Sequence, residues 1–273
     1  MLISDTHTFA FVHIPKSAGT TVRYTLADYD ERKARYVEQA RRDHPDLGPL
    51  DFAHLPLALV KQLYSDDFAL LRSYTSFALI RDPMARFASS LHEHLHWNTG
   101  ETLSDMTPNQ RTQVAARVIA KLRAQPEDTP ITDPALIHFS RQCDYVELDG
   151  ARVVSNIYPT ERMDDMLVAI GALIGARVKA ASKNRRVAYS TPALKSASEA
   201  GQRALRRVLP DNVANPLFRS TRRAMETVGL VGSHTKTQDK TLFDPETRDF
   251  IERFYERDFA LRNQLIQPQE TPA

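Results

Sequence analysis

Apolar residues change period repeatedly along this chain. Phe9-Ala10-Phe11-Val12-His13-Ile14 is a short aromatic and β-branched run stopped by Pro15, the pattern of a buried strand feeding a loop. Directly behind Lys16-Ser17-Ala18-Gly19, Val22 and Leu26 are spaced i, i+4, which predicts a helix over 20–28. The same unit recurs at Thr75 to Ile80, cut by Arg81-Asp82-Pro83, after which Phe87, Leu91 and Leu95 give a helix over 84–97. Further helices are expected at 31–42, 56–64, 106–124, 134–143 and 245–264, the second of them opened by Pro56. Strands are expected at 50–55 and 152–158, and Thr160 is expected to cap a helix with acidic residues in its first turn. Strands alternating with helices predict an α/β protein: three α/β/α layers around a central, mostly parallel sheet.

Composition sharpens this picture. The chain has 273 residues, 42% of them apolar and 26% charged, as an ordinary globular protein does. One domain over 1–266 is expected, with 181–241, poorer in periodicity, as an inserted flap or acceptor-binding region, and 267–273 as a flexible tail. No apolar run reaches the roughly 18 residues a membrane span needs. With no readable secretion signal and one cysteine, Cys143, which cannot pair within the chain, a cytoplasmic setting is expected. Lys and Arg exceed Asp and Glu by two overall, yet residues 177–225 hold twelve basic residues against Glu199 and Asp211. Solvated helix faces and an anionic partner are both readings of that segment.

Two strand ends carry the chemistry. Lys16-Ser17-Ala18-Gly19-Thr20-Thr21 sets small residues and hydroxyls before a helix, where unpaired N–H groups attract an anion. The nucleoside-triphosphate loop GxxxxGK[ST] puts lysine after its second glycine, whereas here Lys16 precedes Gly19 and the first glycine is missing. Arg81 and Ser89, after the second strand, offer another phosphate grip, Arg81 by its bidentate fork. Arg86 reads as an ion-pair residue holding that loop, and His13 as a packed or hydrogen-bonded residue.

The two motifs, in this order, resemble those of sulfotransferases that use 3′-phosphoadenosine 5′-phosphosulfate (PAPS), and within them the membrane-associated carbohydrate group. The first is similar to the 5′-phosphosulfate motif [IL]-P-K-[ST]-[AG]-[GS]-T-[ST], the second to the 3′-phosphate motif R-D-P-x-x-R-x-x-S. Weaker likeness extends to Phe139-x-x-Gln142 and to Phe254-Tyr255-x-x-Asp258-Phe259. The resemblance implies PAPS as donor, held by Lys16, Ser17, Ala18, Gly19, Thr20, Thr21, Arg81 and Ser89, with Lys16 also catalytic through its charge on the leaving oxygen. It implies no metal, and an acceptor hydroxyl on a saccharide, with no nucleic acid and no membrane span; the basic segment 177–225 separately suggests an acceptor that carries negative charge. His54, expected at a strand end on the same sheet edge, is the candidate base, since an imidazole suits proton abstraction near neutral pH.

Three rivals stand beside this reading. A P-loop kinase or nucleotide hydrolase needs a Walker loop and a Mg²⁺-binding Asp. A zinc hydrolase is suggested by His92-Glu93-x-x-His96, although the extended motif needs glycine where Thr99 stands. A non-catalytic nucleotide-binding module would need neither Lys16 nor a base.

Overall fold

The computed structural model describes residues 1–38, 40–103, 106–126, 129–180, 187–189, 231–233 and 242–266. The chain forms two units, Met1–Ala181 with Lys240–Ala273, and Ser182–Asp239. In the second, β9 (Val187–Tyr189) pairs antiparallel with β10 (Val231–Ser233). The basic segment 177–225 otherwise lies outside the described residues beyond 180, as does the expected tail 267–273.

The sheet of the first unit has the order β1 (Leu2–Ser4), β2 (Phe9–Val12), β5 (Thr75–Ile80), β8 (Asn156–Pro159). β2, β5 and β8 run parallel, and β1, which the sequence reading missed, is an antiparallel edge. Alternate residues of each strand enter different apolar clusters, as a sheet covered on both faces requires. Ala10, Val12, Ala78 and Ile80 pack with α2 (Leu57–Leu63) and α3 (Ser65–Ser73). Phe9, Phe11, Phe77 and Leu79 pack with Val22 and Leu26, from α1 (Gly19–Thr25) and its end, and with α6 (Met163–Ile174). These are the three expected layers. A third cluster joins α4 (Pro83–Thr99), α5 (Pro108–Arg123) and α7 (Pro245–Phe254) through Phe87, Leu91, Leu95, Val118 and Phe250.

Several expected elements are corrected. Residues 31–42 hold only the five-residue helix Ala34–Glu38 before β3 (Arg41–His44), which forms a separate hairpin with β4 (Gly48–Asp51). The strand expected over 50–55 therefore ends at Asp51 and does not join the main sheet, and His54 lies in the 3₁₀ turn Phe52–His54. The physical cause is Asp51, whose side chain accepts the Ala53 N–H at 3.0 Å and turns the chain. The 134–143 helix resolves into two single turns, Ile137–Phe139 and Cys143–Tyr145, and the 152–158 strand into β7 (Ala151–Arg152), paired with β6 (Glu147–Leu148), and β8. Thr160 begins a 3₁₀ turn instead of capping α6. The last helix breaks at Tyr255, between α7 and α8 (Glu256–Ile266), where the phenol donates to the Phe139 carbonyl at 2.6 Å.

Candidate active site

β2 and β5 are parallel neighbours in register, Phe9 beside Thr75 through Val12 beside Ala78. Their following loops therefore emerge side by side at one end of the sheet, where open α/β sheets take ligands. In the first loop Lys16 and Ala18 have φ of 64° and 62°, left-handed values that cost a side-chain-bearing residue about 1–2 kcal/mol each. The first helical bonds of α1 run from Thr21 and Val22 back to Ala18, so the N–H groups of Gly19 and Thr20 stand ahead of the ladder. Gly19 is required by packing: a Cβ there would sit 1.8 Å from Cδ2 of His13, whose ring lies directly against the loop.

The second loop starts α4 with Asp82 as N-cap, accepting from Ala85 N–H at 2.9 Å, and Pro83 in the first turn. The Arg81 guanidinium reaches the Lys16 carbonyl at 3.2 Å, bonding one loop to the other. Gln142 completes the join. Its side-chain carbonyl accepts from Ser17 Oγ at 3.1 Å and from Arg81 N–H at 2.8 Å, while its amide donates to the Arg81 carbonyl at 2.9 Å. Gln142 is fully buried, and Asp258 of α8 holds it in turn by accepting the N–H groups of Gln142 and Cys143. Arg86 is buried too, bonded to the carbonyls of His138 and Ser140 with Asp258 3.9 Å away. It ties α4 to the 138–140 segment and to Asp258, not directly to the Arg81 loop as expected.

α4 sorts its residues by face. Phe87, Leu91 and Leu95, four apart, fill the helical cluster. Ser89, Glu93 and Trp97 repeat at the same spacing two residues on, about 200° around the axis. Ser89 is half-buried, and the Glu93 carboxylate forms an ion pair with Lys16 Nζ. Burial alone would raise the Glu93 carboxyl, but the Lys16 bond and charge outweigh it and hold it below its ordinary value.

Opposite stands a histidine cluster. His54 Nδ1 lies 3.1 Å from the buried Asp51 carboxylate, which can only accept, so Nδ1 carries a proton and Nε2 is the nitrogen that bears the lone pair in the neutral ring. Burial would raise the Asp51 carboxyl, yet the bonds from His54 and Ala53 N–H and the charge of Arg41 hold it down. Tyr145 OH fixes the turn by donating to the His54 carbonyl at 3.1 Å. His13 packs edge-on to His54 at 4.6 Å between centroids, and His138 does so at 5.5 Å. Burial, then the charges of His54 and Arg23, press His13 far below its normal range, and burial with His54 lowers His138 to about 4. Arg23 donates to His13 Nδ1 at 3.1 Å, so that ring is neutral and faces the loop as a packing group.

The structure thus brings Lys16, Ser17, Ala18, Gly19, Thr20, Thr21 and Arg81 together at the loop pair, and places Ser89 on α4 and His54 in its own turn. Sequence reasoning missed Asp51 and His138, and read Glu93 only as part of the His92-Glu93-x-x-His96 pattern. An Asp three residues before His54 is a legible signal, whereas nothing local marks His138. Among the described residues, the group that could hold a metal is Asp51, His54 and His138, not His92 with His96. The glutamate of that HExxH pattern is the one paired with Lys16. Cys143 is a buried free thiol, pushed up by burial and Asp258. No helix among the described residues is long and apolar enough to cross a membrane.

A family model described as the Sulfotransferase family matches residues 1–262. No curated protein and no solved structure matches the chain significantly.

Proposed function

We propose, on the premise that this chain belongs to the sulfotransferase family and is an enzyme of sulfuryl transfer, that its donor is PAPS and its acceptor a hydroxyl of a carbohydrate, as in the family's carbohydrate group. The observation that carries the reading is the Gln142 clamp, which bonds the Lys16 loop and the Arg81 loop into one surface. Two anion grips fixed side by side suit a nucleotide with phosphate at both 5′ and 3′ positions. Residues 181–241 are proposed as an inserted flap or acceptor-binding region.

In this reading Ser17, Ala18, Gly19, Thr20 and Thr21 hold the 5′-phosphosulfate, and Arg81 and Ser89 the 3′-phosphate. Lys16 supplies positive charge to the bridging oxygen. His54, its Nδ1–H fixed on Asp51, takes the acceptor proton at Nε2 as the hydroxyl oxygen bonds to sulfur and the bond from sulfur to the bridging oxygen breaks. The leaving group is 3′-phosphoadenosine 5′-phosphate (PAP). His138, held neutral by burial, adds no competing charge at the base. No residue in these roles requires a metal.

Calorimetry with PAP in the presence of a chelator tests the donor assignment. Binding that is tighter than that of ATP and weakened at least tenfold by Lys16→Ala or Arg81→Ala is expected. An absolute Mg²⁺ requirement, or a preference for ATP, would overturn it.

A further inference from the structure

Trp97 is the single tryptophan of the chain and 69% exposed, on the same α4 stripe as Ser89 and Glu93. An indole left in water on a helix whose opposite face is packed is an unspent apolar surface. It is also fixed in place. It lies beside Glu93, the partner of Lys16, close enough to help lower that carboxyl, and the Arg41 guanidinium lies 5.4 Å from its ring centroid. Arg41, on β3 and more than half exposed, reaches back to the Asp51 carboxylate at 3.8 Å. Lys16, Glu93, Trp97, Arg41, Asp51 and His54 therefore form a continuous run of contacts from the sulfuryl end of the donor site to the candidate base.

From this juxtaposition we infer that Trp97 and Arg41 form the acceptor subsite, the indole stacking on the apolar face of a sugar ring and the guanidinium binding a carboxylate, sulfate or phosphate on that ring or its neighbour. Trp97 stands four residues, about 6 Å along the axis, beyond Glu93, so a ring on it lies beside the reacting hydroxyl and not on it. Arg41 has five donors in a planar fork and is only partly engaged by Asp51, the arrangement that recognises an anion bidentately. The chemistry is specific in both halves. A neutral sugar would use the indole alone, and a bare anion the guanidinium alone. Both residues are specificity determinants, since neither touches the reacting atoms.

This inference rests on the proposed sulfotransferase reading, and the test separates the two. Because Trp97 is the only indole, its emission reports this subsite in the unmodified full chain. With the donor site filled by PAP, the protein is titrated with three oligosaccharides carrying carboxylate, sulfate or phosphate, and with their neutral counterparts. At least one acidic probe is expected to shift or quench the emission saturably, binding at least tenfold more tightly than its neutral counterpart and more weakly as salt rises. In calorimetry Arg41→Ala should lose about tenfold for that probe, Trp97→Ala at least tenfold and Trp97→Phe less, with PAP affinity unchanged in all three. Failure of PAP to bind would refute the donor reading itself. PAP binding normally while no acidic probe perturbs Trp97, or while acidic and neutral probes bind alike, would refute the acceptor subsite alone.

Discussion

Replacing Gln142 by leucine tests whether one side chain holds the two loops together. The side chain makes three bonds within the interior, to Ser17 Oγ, Arg81 N–H and Arg81 C=O. Leucine fills much of the volume and returns none of them. An unpaired buried polar group costs about 1–3 kcal/mol. The Ser17 hydroxyl can rotate toward another acceptor, so the two backbone groups dominate and the loss is about 3–5 kcal/mol. Against a typical stability of about 5–15 kcal/mol the variant stays folded. For a chain of this length each kcal/mol lowers the melting temperature by about 2 °C, giving a fall of about 6–10 °C. Urea unfolding and scanning calorimetry measure both quantities, and titration with PAP then shows whether the loops still act together. PAP affinity should fall at least tenfold, because the grips lose their common anchor. Gln142→Glu keeps both accepted bonds but sets an oxygen against the Arg81 carbonyl, so it too should destabilise, by about 2 kcal/mol or more. A leucine variant within 1 kcal/mol of the parent, binding PAP equally well, would show that the clamp is incidental.

Asp51→Asn should cut kcat by about 10²-fold or more with PAP affinity unchanged, since it removes the group orienting His54 and touches no donor grip; pre-steady-state kinetics and calorimetry read the two separately. Gly19→Ala should cost about 2–3 kcal/mol and weaken PAP binding, because the new methyl overlaps the His13 ring and either the ring or the loop must move. Stability should fall between pH 6.5 and about 4: His13 and His138 are depressed in the folded state, so the unfolded chain binds more protons there, at up to about 1.4 kcal/mol per pH unit for each. Asp144, raised to about 6 chiefly by burial, takes up a proton in the folded state and opposes them over its own window above pH 3.8, so Asp144→Asn should steepen the acid slope in urea titrations at pH 7, 6 and 5.

The parts of the site that were legible are those built from consecutive residues. Lys16 to Thr21 and Arg81 to Ser89 each lie where a strand period gives way to a helix period, and the parallel pairing of β2 with β5 does the rest. The long helix α4 was readable from Phe87, Leu91 and Leu95, with Pro83 and Gly100 at its ends. What was not legible depends on contacts far apart in sequence. His138 reaches the site because Ser90 and Arg86 bind its carbonyl, across 48 and 52 residues. His54 packs against His13, whose ring lies on the first loop, but it does not stand at the expected strand end, since the Asp51 side chain bends the chain out of a strand. Gln142 showed in the weak likeness around Phe139, yet its bonds to both loops span 125 and 61 residues. No local pattern encodes such a distance.

The helix α4 explains why a zinc-protease pattern and a sulfotransferase arrangement overlap in one stretch of sequence. Residues four apart on a helix share a face, so any helix offering His at 92 and 96 also offers a second stripe one residue on, at 93 and 97. Which stripe acts is decided by what surrounds the helix. Phe87, Leu91 and Leu95 are buried against α5 and α7, and that packing fixes the rotation of α4 about its axis. Glu93 then meets Lys16, from a loop 77 residues away, and Trp97 meets Arg41 of the β3–β4 hairpin. An acidic side chain committed to an ammonium is not available to activate water on a metal, so the helix serves the two loops instead. The same rotation puts Ser89 and Trp97 on one face, some 12 Å apart along the axis by helix rise. In the proposed reading this one rigid element sets the spacing between the 3′-phosphate grip and the acceptor subsite, and Arg86 and Ser90, bonded to the His138 carbonyl from the same helix, tie that spacing to the histidine cluster.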